Sequence, residues 1–176
     1  GRGREHYQWN VDIWGMNGIE ADAELLSVLV QFFDSVGLSS EDLVIRISSR
    51  KVLEEVLGSL GLEGEIFAQT CVIVDKMDKL PEDVIEAQLS DLGLVSESIS
   101  TIRSVLGITD LESLSSALSS DSEALIELQS LFSLCDSYGI SDWVSFDASV
   151  VRGLAYYTGP VFEAHDRAGN LRAICG

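Results

Sequence analysis

Cations are scarce in this sequence: eleven Lys and Arg stand against 29 Asp and Glu, a net charge of −18. A chain so acidic repels nucleic acid and anionic lipid unless its few cations are gathered in one place. Long apolar runs are missing as well. The nearest, residues 25 to 33, is interrupted by Ser27 and Gln31 and falls well short of the roughly 20 residues a membrane helix requires. No membrane span is expected, and the chain reads as a soluble intracellular protein. Cysteine is sparse: Cys71, Cys135 and Cys175 are odd in number and far apart, which fits neither a disulfide framework nor a metal-ligand spacing. They read as reduced core residues in a reducing compartment. Neither an initiating Met nor a signal or transit segment stands at Gly1, and Gly176 follows directly on an apolar, strand-like stretch, so both ends are expected to be cut. What is present, 176 residues of which 46% are apolar and 23% charged, has the composition of a globular protein of one domain or two small ones.

The acidity belongs to one segment. Residues 52 to 142 carry 18 acidic and 3 basic side chains, a net of −15, while the other 85 residues carry 11 and 8, a net of −3. Apolar spacing there predicts short amphipathic helices at residues 51 to 57, 81 to 89, 98 to 106, 110 to 118 and 122 to 138, with Pro81 in the first turn of the second. Gly58, Gly61, Gly93, Gly107 and Gly139 sit where helices should stop. In the last helix Leu125, Leu128, Leu131, Phe132 and Cys135 recur at threes and fours, the stripe of a core-facing helix rather than a ligand set. Ten serines between Ser96 and Ser122 resemble a low-complexity tract, yet Ile99, Ile102, Leu106, Leu111, Leu114 and Leu118 keep an apolar face, so a weakly specified helical layer is expected.

The flanks are richer in strands. Residues 4 to 13 alternate strictly, Arg4, His6, Gln8, Asn10 and Asp12 against Tyr7, Trp9, Val11 and Ile13, which predicts a strand. A long helix follows at residues 19 to 36, with Leu25, Leu29, Phe32, Phe33 and Val36 on its buried face and Gly37 as its stop. Residues 43 to 48 make the next strand. Residues 143 to 147 and 156 to 165 read as two strands joined by a tight turn at 151 to 154, and residues 171 to 175 begin a third beyond the Gly169-Asn170 turn signal. Together these predict an α+β fold, an antiparallel sheet with flanking helices interrupted by a helical insertion. The expected division is a first part of the sheet domain at 1 to 51, the acidic insertion at 52 to 142, and the second part of the sheet domain at 143 to 176.

Two constellations carry possible chemistry. The polar face of the first strand lines up Arg2 and Arg4, then Gln8, Asn10 and Asp12. Forked guanidinium donors suit phosphates, Gln8 offers both donor and acceptor, and a carboxylate at Asp12 suits an ammonium or an imidazole N–H. A solvated strand with cross-strand ion pairs explains the same pattern equally well. The second constellation runs from residue 151 to 163, where Arg152-Gly153 sets a fixed charge beside a pliable backbone and Tyr156 and Tyr157 put one phenol on each face. On its own it is an ordinary hairpin with aromatic packing.

Taken together, however, VRGLAYYTGPVFEA at 151 to 164 is very similar to the histidine-specific signature of histidyl-tRNA synthetases, and GRGREHYQWNVDIWG at 1 to 15 resembles the second half of class II synthetase motif 2. ISSRKVL at 47 to 53 and VDKMDKLPEDV at 74 to 84 resemble the same family, so the likeness extends over nearly the whole chain. The resemblance implies a class II synthetase-like antiparallel sheet. Motif 1, the first strand of motif 2, the second histidine signature, motif 3 and the anticodon-binding domain have no counterpart in these residues. Ala155 stands where the family often has an acid, which concerns a secondary contact.

Residue by residue, the resemblance implies that Arg152 contacts the α-phosphate of ATP and the carboxylate of histidine, where other class II enzymes use a metal ion. It would be the main electrostatic catalyst, a kind of contribution worth about 3 kcal/mol or more. Gln8 would hold the amino and carboxylate end of histidine, Asp12 and Tyr157 would fix the imidazole, and Tyr156 would be a weaker wall of the same pocket. Arg2 would steady the distal phosphates of ATP, with Arg4 beside it in a less defined role. His6 and His165 match no catalytic position. No metal-ligand set is expected; Mg2+ would be carried with ATP. The implied activity is that of a histidine-tRNA ligase: ATP and histidine give histidyl-adenylate, and the acyl group passes to tRNA(His). The full-length protein would be a homodimer of the cytoplasm, mitochondrion or chloroplast, and this piece alone would be inactive. The alternative is the family's non-catalytic histidine-binding paralogue, the regulatory subunit of ATP phosphoribosyltransferase; an acidic interaction module is a third.

Overall fold

The computed structural model describes residues 5, 7–77, 80–150, 157–169 and 173–176. Its centre is a strand, β1 (Leu43–Ser49), buried at every position but Arg46. β2 (Val144–Phe146) lies parallel to β1 on one edge, with Ile45 beside Val144 and Ile47 beside Phe146. β3 (Pro160–Asp166) lies antiparallel on the other, with Leu43 beside Asp166 and Ser49 beside Pro160. The sheet order is therefore β2-β1-β3.

This confirms the α+β class and overturns the expected hairpin. The strands at 143–147 and 156–165 do not pair with each other; each pairs with β1. A parallel partner needs a long crossover, and the helical segment between β1 and β2 is that crossover. The expected third strand is present as a single bridge: Cys175 pairs with Ala164, whose N–H donates to the Cys175 carbonyl (3.0 Å). Residues 170–172 and the tight turn expected at 151–154 lie outside the described residues.

Seven α-helices occur among the described residues: α1 (Ile19–Ser35), α2 (Arg50–Ser59), α3 (Gly64–Val74), α4 (Glu82–Asp91), α5 (Ser96–Leu106), α6 (Leu111–Ala117) and α7 (Glu123–Ser137). Six match the apolar periodicity. α3 does not announce itself, because it opens on Gly64 at a positive φ, has no side-chain cap, and mixes β-branched residues that favour neither helix nor strand by pattern. Side chains cap three of the others: Ser49 accepts from the Lys51 N–H, Asp110 from that of Ser113 and Ser122 from that of Leu125. Stops follow glycine. At Gly37 and Gly139 the backbone turns through a positive φ, and the next N–H reaches back five residues, Leu38 to Phe33 and Ile140 to Cys135, both at 3.0 Å. Gly58 is different from expectation: it lies inside α2, and Gly61 makes the stop. Pro81 caps α4 from just outside its first turn.

The core is one cluster to which the sheet and all seven helices contribute. α7 supplies Ala124, Leu125, Leu128, Leu131 and Cys135 to it, each 4% exposed or less. α1 buries a neighbouring stripe to the one expected: Ala23, Leu26, Val30 and Phe33 are buried, while Leu25 and Leu29 are half-buried and Phe32 and Val36 exposed. None of the helices is long and apolar enough among the described residues to cross a membrane.

The segment at 4–13 is the largest departure. Among the described residues it forms no paired strand, and Tyr7, Trp9 and Val11 are as exposed as Gln8, Asn10 and Asp12. A strand exists only through its neighbours. β1 already has both edges occupied, and nothing described here pairs with residues 7–14 along a ladder.

Truncation of α7 should show where stability lies. Leu128→Ala removes a side chain with no exposure and should cost about 2–5 kcal/mol. Ile126→Ala, half-exposed on the opposite face, should stay within about 0.5 kcal/mol. Urea titration followed by circular dichroism distinguishes them, and equal losses would contradict this packing.

Candidate active site

Residues 7–14 run over the outer stripe of α1, the Trp9 ring meeting Phe32 edge-on with centroids 5.0 Å apart. Beneath them lies a cavity of about 420 Å3. It is lined by residues 9–12, by Leu25, Val28 and Leu29 of α1, by Tyr157 and the first three residues of β3, and by Cys175 and Gly176. This accounts for part of the second apolar stripe of α1: Leu25 and Leu29 line the cavity, and Leu29 also packs against the core.

Of the candidate residues, the structure brings Asp12 and Tyr157 to this one cavity from opposite ends of the chain. Gln8 is exposed and does not line it. Arg2, Arg4, Arg152 and Tyr156 lie outside the described residues, as does His6. His165 sits on β3 with its Nε2 2.9 Å from Glu163 Oε2, a pair within one strand face. A mostly apolar cavity that an aspartate and a tyrosine also line suits a flat ring bearing an N–H donor.

A second recess of about 360 Å3 shares Tyr157 and Pro160 with the first. It is walled also by Asn17, Asp22, Lys51, Glu127, Thr158 and Gly159, none of which the sequence assigned a role. Lys51 Nζ donates to Glu123 and, at 2.6 Å, to Glu127, and these two bonds hold its pKa above the ordinary lysine value. The Asp22 carboxyl is pushed up, first by burial and then by the Glu127 charge. A lysine in the first turn of a helix among many acids looks like solvated surface, and only the likeness of residues 47 to 53 to a known family marks the place.

The thiols divide by environment. Cys71 and Cys135 are buried, and burial pushes the Cys135 thiol up to about 11 and that of Cys71 in the same direction; Cys175 is half-buried at the cavity.

A sequence model described as histidyl-tRNA synthetase matches residues 1–174. The histidine–tRNA ligase, chloroplastic/mitochondrial, of Arabidopsis thaliana is 47% identical over 176 residues, which cover 100% of this chain and 36% of that protein. The histidine–tRNA ligase of Thermoplasma volcanium is 38% identical over 183 residues, covering 100% and 41%. Among solved structures, the histidyl-tRNA synthetase of Nostoc sp. PCC 7120 superposes with a TM-score of 0.73 at 26% identity, over 85% of this chain and 37% of that one. The chain thus spans 36% and 41% of the length of these two curated relatives.

Thiol titration of the native chain near pH 8 should therefore count one fast group, Cys175, since only a thiolate reacts. Cys71 and Cys135 should appear on unfolding. Rapid labelling of Cys135 in the folded protein, read by mass spectrometry, would contradict its burial.

Proposed function

The chain belongs to the histidyl-tRNA synthetase family, and on that premise we propose that the full-length protein activates histidine with ATP and transfers the histidyl group to tRNA(His). The observation that carries this is the convergence of Asp12 and Tyr157 on one cavity, since they come from two separate motifs and neither alone names a substrate. Asp12 accepts from a ring nitrogen of histidine and Tyr157 fixes the ring beside it. An apolar ring of the same shape would leave the carboxylate unpaired, which is how such a pocket discriminates.

The remaining roles rest on the motif likeness. Gln8 holds the amino and carboxylate end, Tyr156 is a wall residue, and Arg2 steadies the distal phosphates of ATP with Arg4 beside it in the ATP site. Arg152 bridges the histidine carboxylate and the α-phosphate, so that as the carboxylate oxygen attacks phosphorus and pyrophosphate leaves, the growing charge meets a guanidinium already in place. Mg2+ enters as part of the ATP substrate; among the described residues no group of three or more His, Cys, Asp and Glu is arranged to hold an ion. Residues 1–51 and 143–176 are the two parts of the catalytic sheet domain and 52–142 the helical insertion, supported by β1 ending at Ser49 and β2 beginning at Val144. The full-length protein works as a homodimer. An organellar or cytosolic compartment is the reading, and the organellar one draws support from the name of the Arabidopsis relative. The regulatory, non-acylating paralogue fits less well, because the relatives described above are ligases by name and Arg2, Gln8 and Arg152 are of the catalytic type.

Histidine-dependent exchange of pyrophosphate into ATP by the full-length protein tests the proposal, and its absence would favour the regulatory paralogue. Within that assay Asp12→Asn should raise the histidine KM by about 10–100-fold, the worth of a hydrogen bond to a charged group. The ATP KM should not follow; if it moved alone, Asp12 would have to be reassigned.

Arg152→His should act on rate instead. A contact that strengthens only as charge develops lowers the rate constant for adenylate formation, by about 10²–10³-fold, more than it weakens either substrate. Lys at this position should restore only part, because a point charge cannot bridge carboxylate and phosphate as a planar fork does. Single-turnover measurement of both half-reactions checks this, with transfer to tRNA suffering less than activation. Normal adenylate formation with poor histidine binding would reduce Arg152 to a binding contact.

A further inference from the structure

Four contacts gather along the first turns of α2. The Arg50 N–H donates to the Gly159 carbonyl (3.1 Å), which ties the residues following Tyr157 to the β1–α2 corner. Lys51 Nζ bonds both Glu123 and Glu127 in the first two turns of α7. One turn further along α2, Glu55 accepts from the Ala124 N–H (2.9 Å). α2 thus grips the beginning of α7 while its first residue holds the stretch 157–159.

The recess between them is electrostatically unbalanced without Lys51. It is the only cation among the described residues that wall the recess, against Asp22 from α1 and Glu127 from α7. Glu127 Oε2 is buried without a hydrogen-bond partner among the described residues. The Asp22 carboxyl already responds to the Glu127 charge. Lys51 is 22% exposed, so its field is less screened than that of a surface lysine.

We propose that Lys51 is a positioning residue for histidine binding: its ammonium is the counter-charge that lets Asp22 and Glu127 line one recess with residues 157–159, and so keeps Tyr157 at the cavity it shares with Asp12. This rests on the reading of that cavity as the histidine site. Replacing the ammonium by an apolar group leaves two carboxylates repelling across the recess, and the wall that yields is the one carrying Tyr157. Removing one carboxylate as well relieves the repulsion.

The test uses the full-length protein with Lys51→Met, Lys51→Arg and Lys51→Met/Glu127→Gln, and two readouts. Backbone hydrogen exchange of residues 157–162 is independent of any activity. Lys51→Met should speed it by about tenfold, the double variant should return most of that, and Lys51→Arg should stay within about twofold. The histidine KM should rise by about fivefold in Lys51→Met and recover in the other two, with the ATP KM unchanged. Unaltered exchange at 157–162 in Lys51→Met overturns the proposal. So does faster exchange throughout the chain with both Michaelis constants raised alike, which would make Lys51 a general structural residue. If Lys51→Met does not fold, the double variant decides: recovery of folding and histidine KM supports the charge argument, and failure of both overturns it. Local loosening of 157–162 in a protein whose wild type shows no histidine-dependent exchange would keep Lys51 as the anchor and overturn the histidine reading instead.

Discussion

The burial of α7 is the constraint on which the rest depends. Its stripe of Ala124, Leu125, Leu128, Leu131 and Cys135 lies against α1, α2, α6 and β1, so one helix joins the helical layer to the sheet. The Schellman turn at Gly139 then redirects the chain into β2, and Ala148 after that strand donates to the Ile108 carbonyl (2.9 Å) in the loop between α5 and α6. A parallel partner for β1 is possible only because the crossover is anchored in this way. Each fully buried leucine contributes roughly 1.5–3 kcal/mol, a large share of the 5–15 kcal/mol that a typical domain has in total.

Much of this was legible from residue spacing. Periodicity identifies six helices, and a following glycine stops all of them but α6, which ends at Ala117, because each signal is local and the helix satisfies its own hydrogen bonds. Strand pairing is not local. The apolar runs at 144–146 and 160–166 announce two strands and invite a hairpin, and nothing in either says that β1 stands between them. The alternation at 4–13 likewise announces a strand without naming a partner, and the described residues contain none. α1 shows a subtler limit: it is apolar around two faces, and sequence alone does not tell the stripe that meets the core from the stripe that lines a cavity.

The site divides in the same way. Residue types at 2 to 12 are compatible with phosphate and imidazole chemistry as much as with a solvated strand, those at 152 to 157 read on their own as an ordinary hairpin, and only the family likeness assigns them roles. That Asp12 and Tyr157 share one cavity is a property of the fold, invisible to either motif. Lys51 is legible in neither sense. Its importance comes from Glu123 and Glu127, more than 70 residues on (|i−j| of 72 and 76), which only the docking of α7 brings within reach.

Charge sets the last condition. Residues 52–142 hold 18 of the 29 acids, while two of the proposed substrates, ATP and tRNA, are polyanions. At physiological ionic strength a charge is screened over about 8 Å, so an acidic layer and a phosphate site coexist in one molecule where acids are kept beyond that distance or are neutralised. Glu127 of α7 and Thr158 share the wall of the recess beside Tyr157, and there a single ammonium, that of Lys51, pairs with both Glu123 and Glu127 and offsets part of their charge. On the proposed reading the acidity of α7 is compatible with the chemistry because the carboxylate that reaches this recess already has a cation.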